Sequence, residues 1–582
     1  MEVKKTTLIW YLLFLSLFVL FYADLSEKIS FLSNPYVVNN DARMQIATFY
    51  SAENPELEND YILQYMNYIL PVGYKMLYRS TATLIDPVAF GKILSLSLFV
   101  ISLFLVTVTA NRLAGISGAW SVLILTLSAG YFYASTAGGI PRSFAIPLLV
   151  AILSSLVFGR VMLLGLVTII GAAIYPMAGF MSGVTLFGVL FLLPRQARGS
   201  GEEWSFKKRI GVVCSVGAIS LGLLLPNLTN SDFGRALTKN DCAAIPEIHG
   251  RLGSEWQCQP VFKPLWRELI NKGRDAVSMT SRGEPWSTTL RNLSSYHFRN
   301  KYGDLVRDDL ISIALWLVIV VGVAKKIIGG GRSDLSRIVV LFVVACGGYK
   351  LAQFMLPHLY FPQRYLLPII PIFLLLLPVA ASGFFDLCRP IFSYKYQEWG
   401  HTAFILTLTI FCMLFLGARK HPYYTGYDKN LTEYADYYTN INTLPKDAVI
   451  AGWPRGLIES LPIFSQRQAF LWKETHLAFN EQYVLVMRNR THALIDAYFA
   501  DSIIPLIRLR DEFGVTHLNV YLPYFKEVEP RYFSPFLKYA QLKKAAGKTK
   551  GFEVLRQIVP AAIFEVGEII TLDLGKLSES PG

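Results

Sequence analysis

A chain of 582 residues that is 53% hydrophobic, 14% aromatic and only 17% charged, with a mean hydropathy of +0.38, falls outside the ordinary soluble class and fits a polytopic membrane protein. Its 55 lysines and arginines against 42 acids leave a net charge of +13. That excess comes without basic repeats or nucleic-acid motifs, and much of it lies between apolar runs, where orientation in a membrane requires it. No nucleic-acid partner is expected.

The first residues read MEVKK followed by TTLIWYLLFLSLFVLFY. A basic start and an apolar run are common to signal peptides and signal anchors, but the ADLSEK that follows offers no small-residue cleavage site. The expectation is a retained anchor forming a first span over 7–22. Further apolar runs at 91–110, 115–135, 143–159, 161–176, 178–194, 210–226, 309–325, 338–356, 365–384 and 402–417 reach or approach the ~20 residues a span needs. The fold class is therefore a polytopic α-helical membrane protein of about eleven transmembrane helices. The runs 161–176 and 178–194 are short and meet at Tyr175-Pro176, which suggests a tight hairpin.

Lysine and arginine distribution sets the orientation. With Lys4 and Lys5 inside, the other inner loops carry Arg112, Arg160, Arg195, Arg198, Lys207, Lys208, Arg209, Lys325, Lys326, Arg332, Arg337, Arg389 and Lys395. The N-terminus is then in and the C-terminus out. Three hydrophilic regions face the exterior: 23–90, 227–308 and the tail from 418. The chain divides into a transmembrane part, 1–417, and an outer part, 418–582, long enough for its own domain. Strand-like runs at 448–451, 515–521 and 569–574, with a helical stretch at about 493–513 stopped by Gly514, make the tail a soluble α/β domain. Of the six cysteines, Cys214, Cys346 and Cys412 sit in apolar runs as packing residues and Cys388 falls in a short polar loop. Cys242 and Cys258 share the second outer loop, where an oxidising compartment would allow a disulfide.

The first outer loop is too long for a simple turn. Its stretch 61–78, YILQYMNYILPVGYKMLY, suggests an interfacial helix broken near Pro71. The loop holds Asp24, Glu27, Asp41, Glu53, Glu56, Glu58, Asp60 and Asp86 against Lys28, Arg43, Lys75 and Arg79. Most of these acids need only solvent. Asp41, in VVNNDARMQ, stands out: it lies close to the first span, beside Asn39 and Asn40, ahead of a helical MQIATFY. It reads either as a helix N-cap or as a functional carboxylate.

Two arginines break the positive-inside pattern. Arg142, in STAGGIPRSFAIP, and Arg364, in MLPHLYFPQRYLLPIIP, both fall at the outer ends of spans. A guanidinium there either snorkels to lipid headgroups or grips a phosphate through its two-pronged fork. Gly138 and Gly139 would let backbone approach a ligand, and His358 could add a donor.

Together these features resemble the GT-C superfamily of membrane glycosyltransferases. The Asp of NNDARM matches the essential acid of that family's large first outer loop. FPQRYLLPIIP looks like the P-x-R-Y-x-x-P-x-x-P run of many members. DAVIAGWPRGLIESLPIFSQRQAFLWKETH resembles the region of the oligosaccharyltransferase catalytic subunit in which a strand leads into Trp-Trp-Asp-Tyr-Gly. Here Gly452, Trp453, Pro454, Arg455 and Gly456 stand in that place, and the acid is missing, which argues against recognition of peptide sequons. LRDEFGVTHLNVY is similar to a recurrent piece of such tails.

The resemblance implies an inverting transfer of a sugar from a polyprenyl-phosphate or diphosphate carrier to a glycan, lipid or protein acceptor. The reaction would run at the outer face of a multi-pass protein, as in a bacterial inner membrane with its site towards the periplasm or exterior. It assigns Asp41 as catalytic base, with Arg142, Arg364, His358, Arg43 and Arg455 as substrate-binding residues; Arg43 could instead pair with Asp41 and keep it ionised. No obligatory metal is expected, although Asp41 with Glu53, Glu56, Glu58 or Asp60 could hold a divalent cation. The alternatives are a transporter for a lipid-linked molecule, which would show intramembrane charges or paired broken helices, and an inactive GT-C-like scaffold that holds a partner through the outer domain.

Overall fold

The structure, a computed structural model, describes residues 32–128, 130–193, 204–229, 232–250, 264–277, 303–330, 333–355, 359, 361–388, 402–405, 407–409, 426–453, 456–521, 532, 535–546 and 562–577. The expected first span, Arg455, His358 and Cys258 lie outside these residues, as does most of the expected last span.

After strand β1 (Val37–Val38) and helix α1 (Ala42–Ala47), the segment 61–79 forms α2 (Tyr61–Ile69) and α3 (Val72–Arg79). Pro71 is the N-cap of α3, so the break falls where a proline without an N–H suits a helix start. The two helices are buried in the protein. Tyr65 stacks on Tyr483 at 3.6 Å between ring centroids, Tyr74 and Tyr78 are fully enclosed, and a Cβ on Gly73 would come within 2.8 Å of Ala173.

Helix α4 (Pro87–Ser128) follows. Asp86 starts it, accepting the Ala89 N–H at 2.8 Å and the Tyr50 hydroxyl at 2.6 Å. Ala114 and Gly115 carry non-helical dihedrals, which divides it where the sequence separates two spans. Next come α5 (Gly130–Thr136), α6 (Ala145–Val157), α7 (Val161–Ile174) and α8 (Pro176–Phe191). α7 and α8 pack as the expected hairpin. Tyr175 is the cap of both, Pro176 takes the first-turn position that suits it, and a Cβ on Gly171 would meet the Gly179 nitrogen at 2.6 Å. That is the close backbone approach small residues allow in membranes.

The remaining helices of this part are α9 (Phe206–Thr229), α10 (Leu265–Val277), α11 (Gly303–Gly330), α12 (Ser333–Phe354) and α13 (Ile369–Cys388). Among the described residues, four helices are long and apolar enough to cross a membrane: Pro87–Leu127, Phe206–Pro226, Ser333–Phe354 and Pro362–Leu387. Pro141–Val157, Val161–Ile174 and Pro176–Phe191 are shorter apolar helices. These make the chain an integral membrane protein. The most apolar window of Pro362–Leu387 is 89% buried and that of Phe206–Pro226 0%, so the former is the central post and the latter peripheral. Arg337 is buried and donates to the carbonyls of Leu156 and Val157, satisfying the unpaired end of α6.

In the tail, β2 (Lys429–Asn430) pairs antiparallel with β1. A five-stranded sheet runs in the order β4-β3-β5-β7-β6, from β3 (Val449–Gly452), β4 (Gln468–Ala469), β5 (His517–Tyr521), β6 (Ala562–Val566) and β7 (Ile569–Asp573). β3 is parallel to both β4 and β5, and the other pairs are antiparallel. The helix expected over about 493–513 is two: α14 (Glu481–Tyr498) and α15 (Ile504–Phe513). Pro505 falls in the first turn of α15, where it starts a helix rather than continuing one. Gly514 ends α15 at φ +68°, the left-handed cap that glycine provides. Cys242 is disulfide-bonded, and Cys214 and Cys346 are free.

Asp60 caps α2, accepting the N–H of Ile62 at 2.8 Å and of Leu63 at 3.3 Å with one oxygen. The other is buried without a hydrogen-bond partner. Burial pushes this carboxyl from 3.8 up to about 6, against the opposing charge of Arg490 and the two N–H groups. The folded state thus binds the proton more tightly than the unfolded chain, and stability is gained as pH falls from about 6 towards 3.8. The whole difference is worth ~3 kcal/mol. Thermal midpoints of wild type and Asp60→Asn, compared from pH 7 to pH 4, are expected to show the wild type gaining on the variant as pH falls. A constant offset would contradict the raised value.

Candidate active site

The stretch VVNNDARMQ is bound to the tail at Val37, Val38, Asn39, Asn40 and Arg43. β1 pairs with β2. Asn39 Nδ2 donates to the Gly426 carbonyl at 2.6 Å. The Asn40 N–H donates to Asp428 Oδ1 at 2.9 Å. Asn39 Oδ1 accepts the N–H groups of Asp41 at 3.0 Å and Ala42 at 3.2 Å. Asp41 occupies the N-cap position of α1 but makes no side-chain cap bond. The capping role read for Asp41 is corrected: Asn39 supplies it, and the Asp41 carboxylate is left for another partner.

That partner is Arg142, whose Nη1 lies 2.6 Å from Asp41 Oδ2. Their side chains are 42% (Arg142) and 33% (Asp41) exposed, so a ligand can reach the pair. Arg142 sits in the 3-10 turn Pro141–Phe144. Ser143 pins that turn, its hydroxyl donating to the Ala137 carbonyl at 2.7 Å and accepting the Ile140 N–H at 3.1 Å.

Gly138 and Gly139 lead into the turn at φ +89° and +61°. Their lack of side chains admits protein: a Cβ on Gly138 would lie 2.9 Å from Asn39 Cβ, and one on Gly139 would lie 2.5 Å from Gly91 Cα. This corrects the expectation that they open the backbone to a ligand. Gly138→Ala combines an unfavourable φ with that contact and is expected to cost ~1–3 kcal/mol, read as a lowered thermal midpoint. An unchanged midpoint would contradict the tight fit.

Arg43 does not pair with Asp41. Its guanidinium is 2% exposed and binds Glu459 Oε2 at 2.6 Å, Ser460 Oγ at 3.1 Å and the Asn40 carbonyl and side chain. Its expected place among the substrate ligands is thereby corrected: the fork is committed to protein. Arg364 lies in the 3-10 turn Pro362–Leu366, its guanidinium 4.5 Å over the Phe361 ring. Phe361 holds a left-handed φ of +54°.

Sequence reasoning missed Lys272 and Tyr131. α10, from the segment 227–308, packs on α13, on α4 and on the turn bearing Arg364. A Cβ on Gly273 would meet Trp316 at 2.6 Å and Phe373 at 2.9 Å, so α10 lies tight against the helices. Lys272 is 3.6 Å from Asp275, and Tyr131 feels the charges of Lys272, Asp275 and Arg142. Burial works against the Lys272 charge, but Tyr131, Asp275 and Glu268 outweigh it and raise its pKa above the ordinary value, so it stays cationic. The spacing of LWRELINKGRDAV is the one signal that could have found this helix.

Three of the acids considered for a cation have partners of their own. Glu53 accepts the Gln466 side chain, Glu56 accepts Asn59, and Asp60 caps α2. Among the described residues no three His, Cys, Asp or Glu side chains gather where they could hold a metal ion. A small cavity of about 10 Å³, roughly the room a single water needs, is lined by Asn39, Arg43, Lys92, Gly138 and Tyr427 among others.

No family model matches the chain, and no curated protein matches its sequence. Solved structures do match. Its structural neighbours include an oligosaccharyltransferase. This is AglB from Archaeoglobus fulgidus, in complex with an inhibitory peptide and a dolichol-phosphate, at 10% identity and a TM-score of 0.47, covering 94% of this chain and 71% of that one. The apo form of the Archaeoglobus fulgidus oligosaccharyltransferase matches at 10% identity and 0.46, over 84% of this chain and 66% of that one, so the chain spans about two thirds of that protein's length. ArnT from Cupriavidus metallidurans in the apo state matches at 12% identity and 0.43, over 98% of both chains.

Proposed function

We propose that the chain is a membrane glycosyltransferase of the GT-C kind, moving a sugar with inversion from a polyprenyl-phosphate or diphosphate carrier to an acceptor at the extracytoplasmic face. The observation that carries this reading is the 2.6 Å ion pair between Asp41 and Arg142. It joins the one carboxylate of the first outer loop singled out by sequence to an arginine that membrane orientation does not require. In this reading residues 1–417 form the transmembrane part and 418–582 the outer domain, and the active face of a bacterial inner-membrane protein looks to the periplasm or exterior.

Without substrate, Arg142 neutralises Asp41. A donor phosphate competes for the same guanidinium fork and releases the carboxylate. The acceptor hydroxyl then attacks the anomeric carbon from the face opposite the phosphate. Its proton passes to Asp41 Oδ2, the bond from anomeric carbon to phosphate oxygen breaks, and the departing phosphate keeps the electron pair. Arg142 meets the charge growing on that oxygen, with Lys272 and Arg364 as further cations on the same side. A carboxylate is a weak base at neutral pH, so orientation of the acceptor is a large part of the role of Asp41. The experiment is wild-type protein in proteoliposomes with a panel of undecaprenyl-phosphate-linked sugars and acceptors. Transfer with inverted anomeric configuration is expected; no transfer from any donor would sink the reading.

A further inference from the structure

The residues around Asp41 are tied to the tail, and Asp41 itself is tied to Arg142. Asn39 is held by Gly426, Asn40 by Asp428, and Arg43 by Glu459 and Ser460. α1 has six residues, too few to hold its own shape in water, so its place is set by these ties. The most buried of these side-chain pairs is Arg43–Glu459, with side chains 2% and 8% exposed; its bond is charge-assisted, and removing one partner would leave the other charge buried and unpaired. Arg43 also reaches back to the Asn40 carbonyl and side chain, which closes a ring around Asp41. Glu459 lies in the 3-10 turn Gly456–Ser460, a few residues beyond the buried Trp453 at the end of β3.

We propose that Glu459, acting through Arg43, is a positioning residue for Asp41, so that the turn after β3 of the tail sets the geometry of the catalytic carboxylate. The inference rests on the reading of Asp41 given above. It makes the tail part of the active site's frame, and whatever shifts the turn 456–460 also shifts Asp41.

The test uses the full chain in detergent, as wild type, Glu459→Gln and Glu459→Asp. Amide hydrogen exchange over 39–45 is expected to speed about tenfold in Glu459→Gln, with 449–452 and 517–521 keeping their protection. Turnover of an undecaprenyl-phosphate-linked sugar is expected to fall roughly 10- to 100-fold in kcat with KM for that donor unchanged, and Glu459→Asp is expected to recover part of kcat. Unchanged exchange at 39–45, equal loss of protection in the sheet, or unchanged kcat would each overturn the proposal. If the Gln variant does not fold, the paired variant Arg43→Met/Glu459→Met removes both charges without leaving one unpaired. It must show the same local exchange and kcat loss, and wild-type values there would overturn the proposal. Should the wild type transfer no sugar, the glycosyltransferase reading falls, and exchange at 39–45 alone decides whether Glu459 holds this segment.

Discussion

Asp41→Asn is expected to lower sugar transfer about 10²- to 10⁴-fold with the fold retained. The substitution keeps the size of the side chain and removes only its charge and proton affinity. α1 loses no cap, because Asn39 accepts the N–H groups of Asp41 and Ala42. The surrounding ties to Gly426, Asp428 and Glu459 involve neighbouring residues, so the local backbone keeps its place. What changes is the pair with Arg142. An asparagine holds the guanidinium less tightly, so a phosphate meets less competition, and affinity for undecaprenyl phosphate is expected to hold or rise while kcat collapses. Full turnover in the variant, measured in proteoliposomes with a defined lipid-linked sugar, would remove Asp41 as the base. A weakened phosphate affinity would show that the carboxylate does not compete for Arg142.

The legible parts of this chain are those governed by local rules. The hairpin at Tyr175-Pro176, the break at Pro71 and the stop at Gly514 follow from backbone chemistry within a few residues. Arg142 is legible because membrane orientation is a rule that an exception can break. Arg43 is different: its partner Glu459 is 416 residues away, and no local pattern distinguishes an arginine bound for a buried carboxylate from one bound for substrate. The same distance hides the pairing of Val37 and Val38 with Lys429 and Asn430, although it explains why a short apolar pair precedes Asn39. Asp41 looked like a cap because an acid ahead of a helix usually is one. Only the register shows that Asn39, two residues earlier, reaches the free N–H groups first. Lys272 was hidden for a further reason. It lies on a loop helix whose Gly273 packs against Trp316 and Phe373, and that packing brings a surface-like sequence to the charges around Tyr131.

Arg142→Ala is the companion test, because it separates the binding of phosphate from the chemistry at the carboxylate. A charge-assisted bond of this kind is worth about 1.5–3 kcal/mol, so affinity for undecaprenyl phosphate is expected to weaken roughly 10- to 100-fold. Turnover is expected to fall ~10²- to 10³-fold as the growing charge on the leaving phosphate goes unmet. Arg142→Lys keeps the charge and loses the fork, and should recover part of the affinity but less of the turnover, since a point charge cannot hold two oxygens in plane. The turn itself is secured by Ser143 and not by the arginine, so neither variant should unfold it. Arg337→Ala is the contrast: that guanidinium is buried against the carbonyls of Leu156 and Val157, and its removal should lower the thermal midpoint while leaving phosphate affinity at the wild-type value. If Arg142→Ala behaves like Arg337→Ala, the guanidinium beside Asp41 is a structural strut, and the phosphate site must be sought around Lys272 and Arg364 instead.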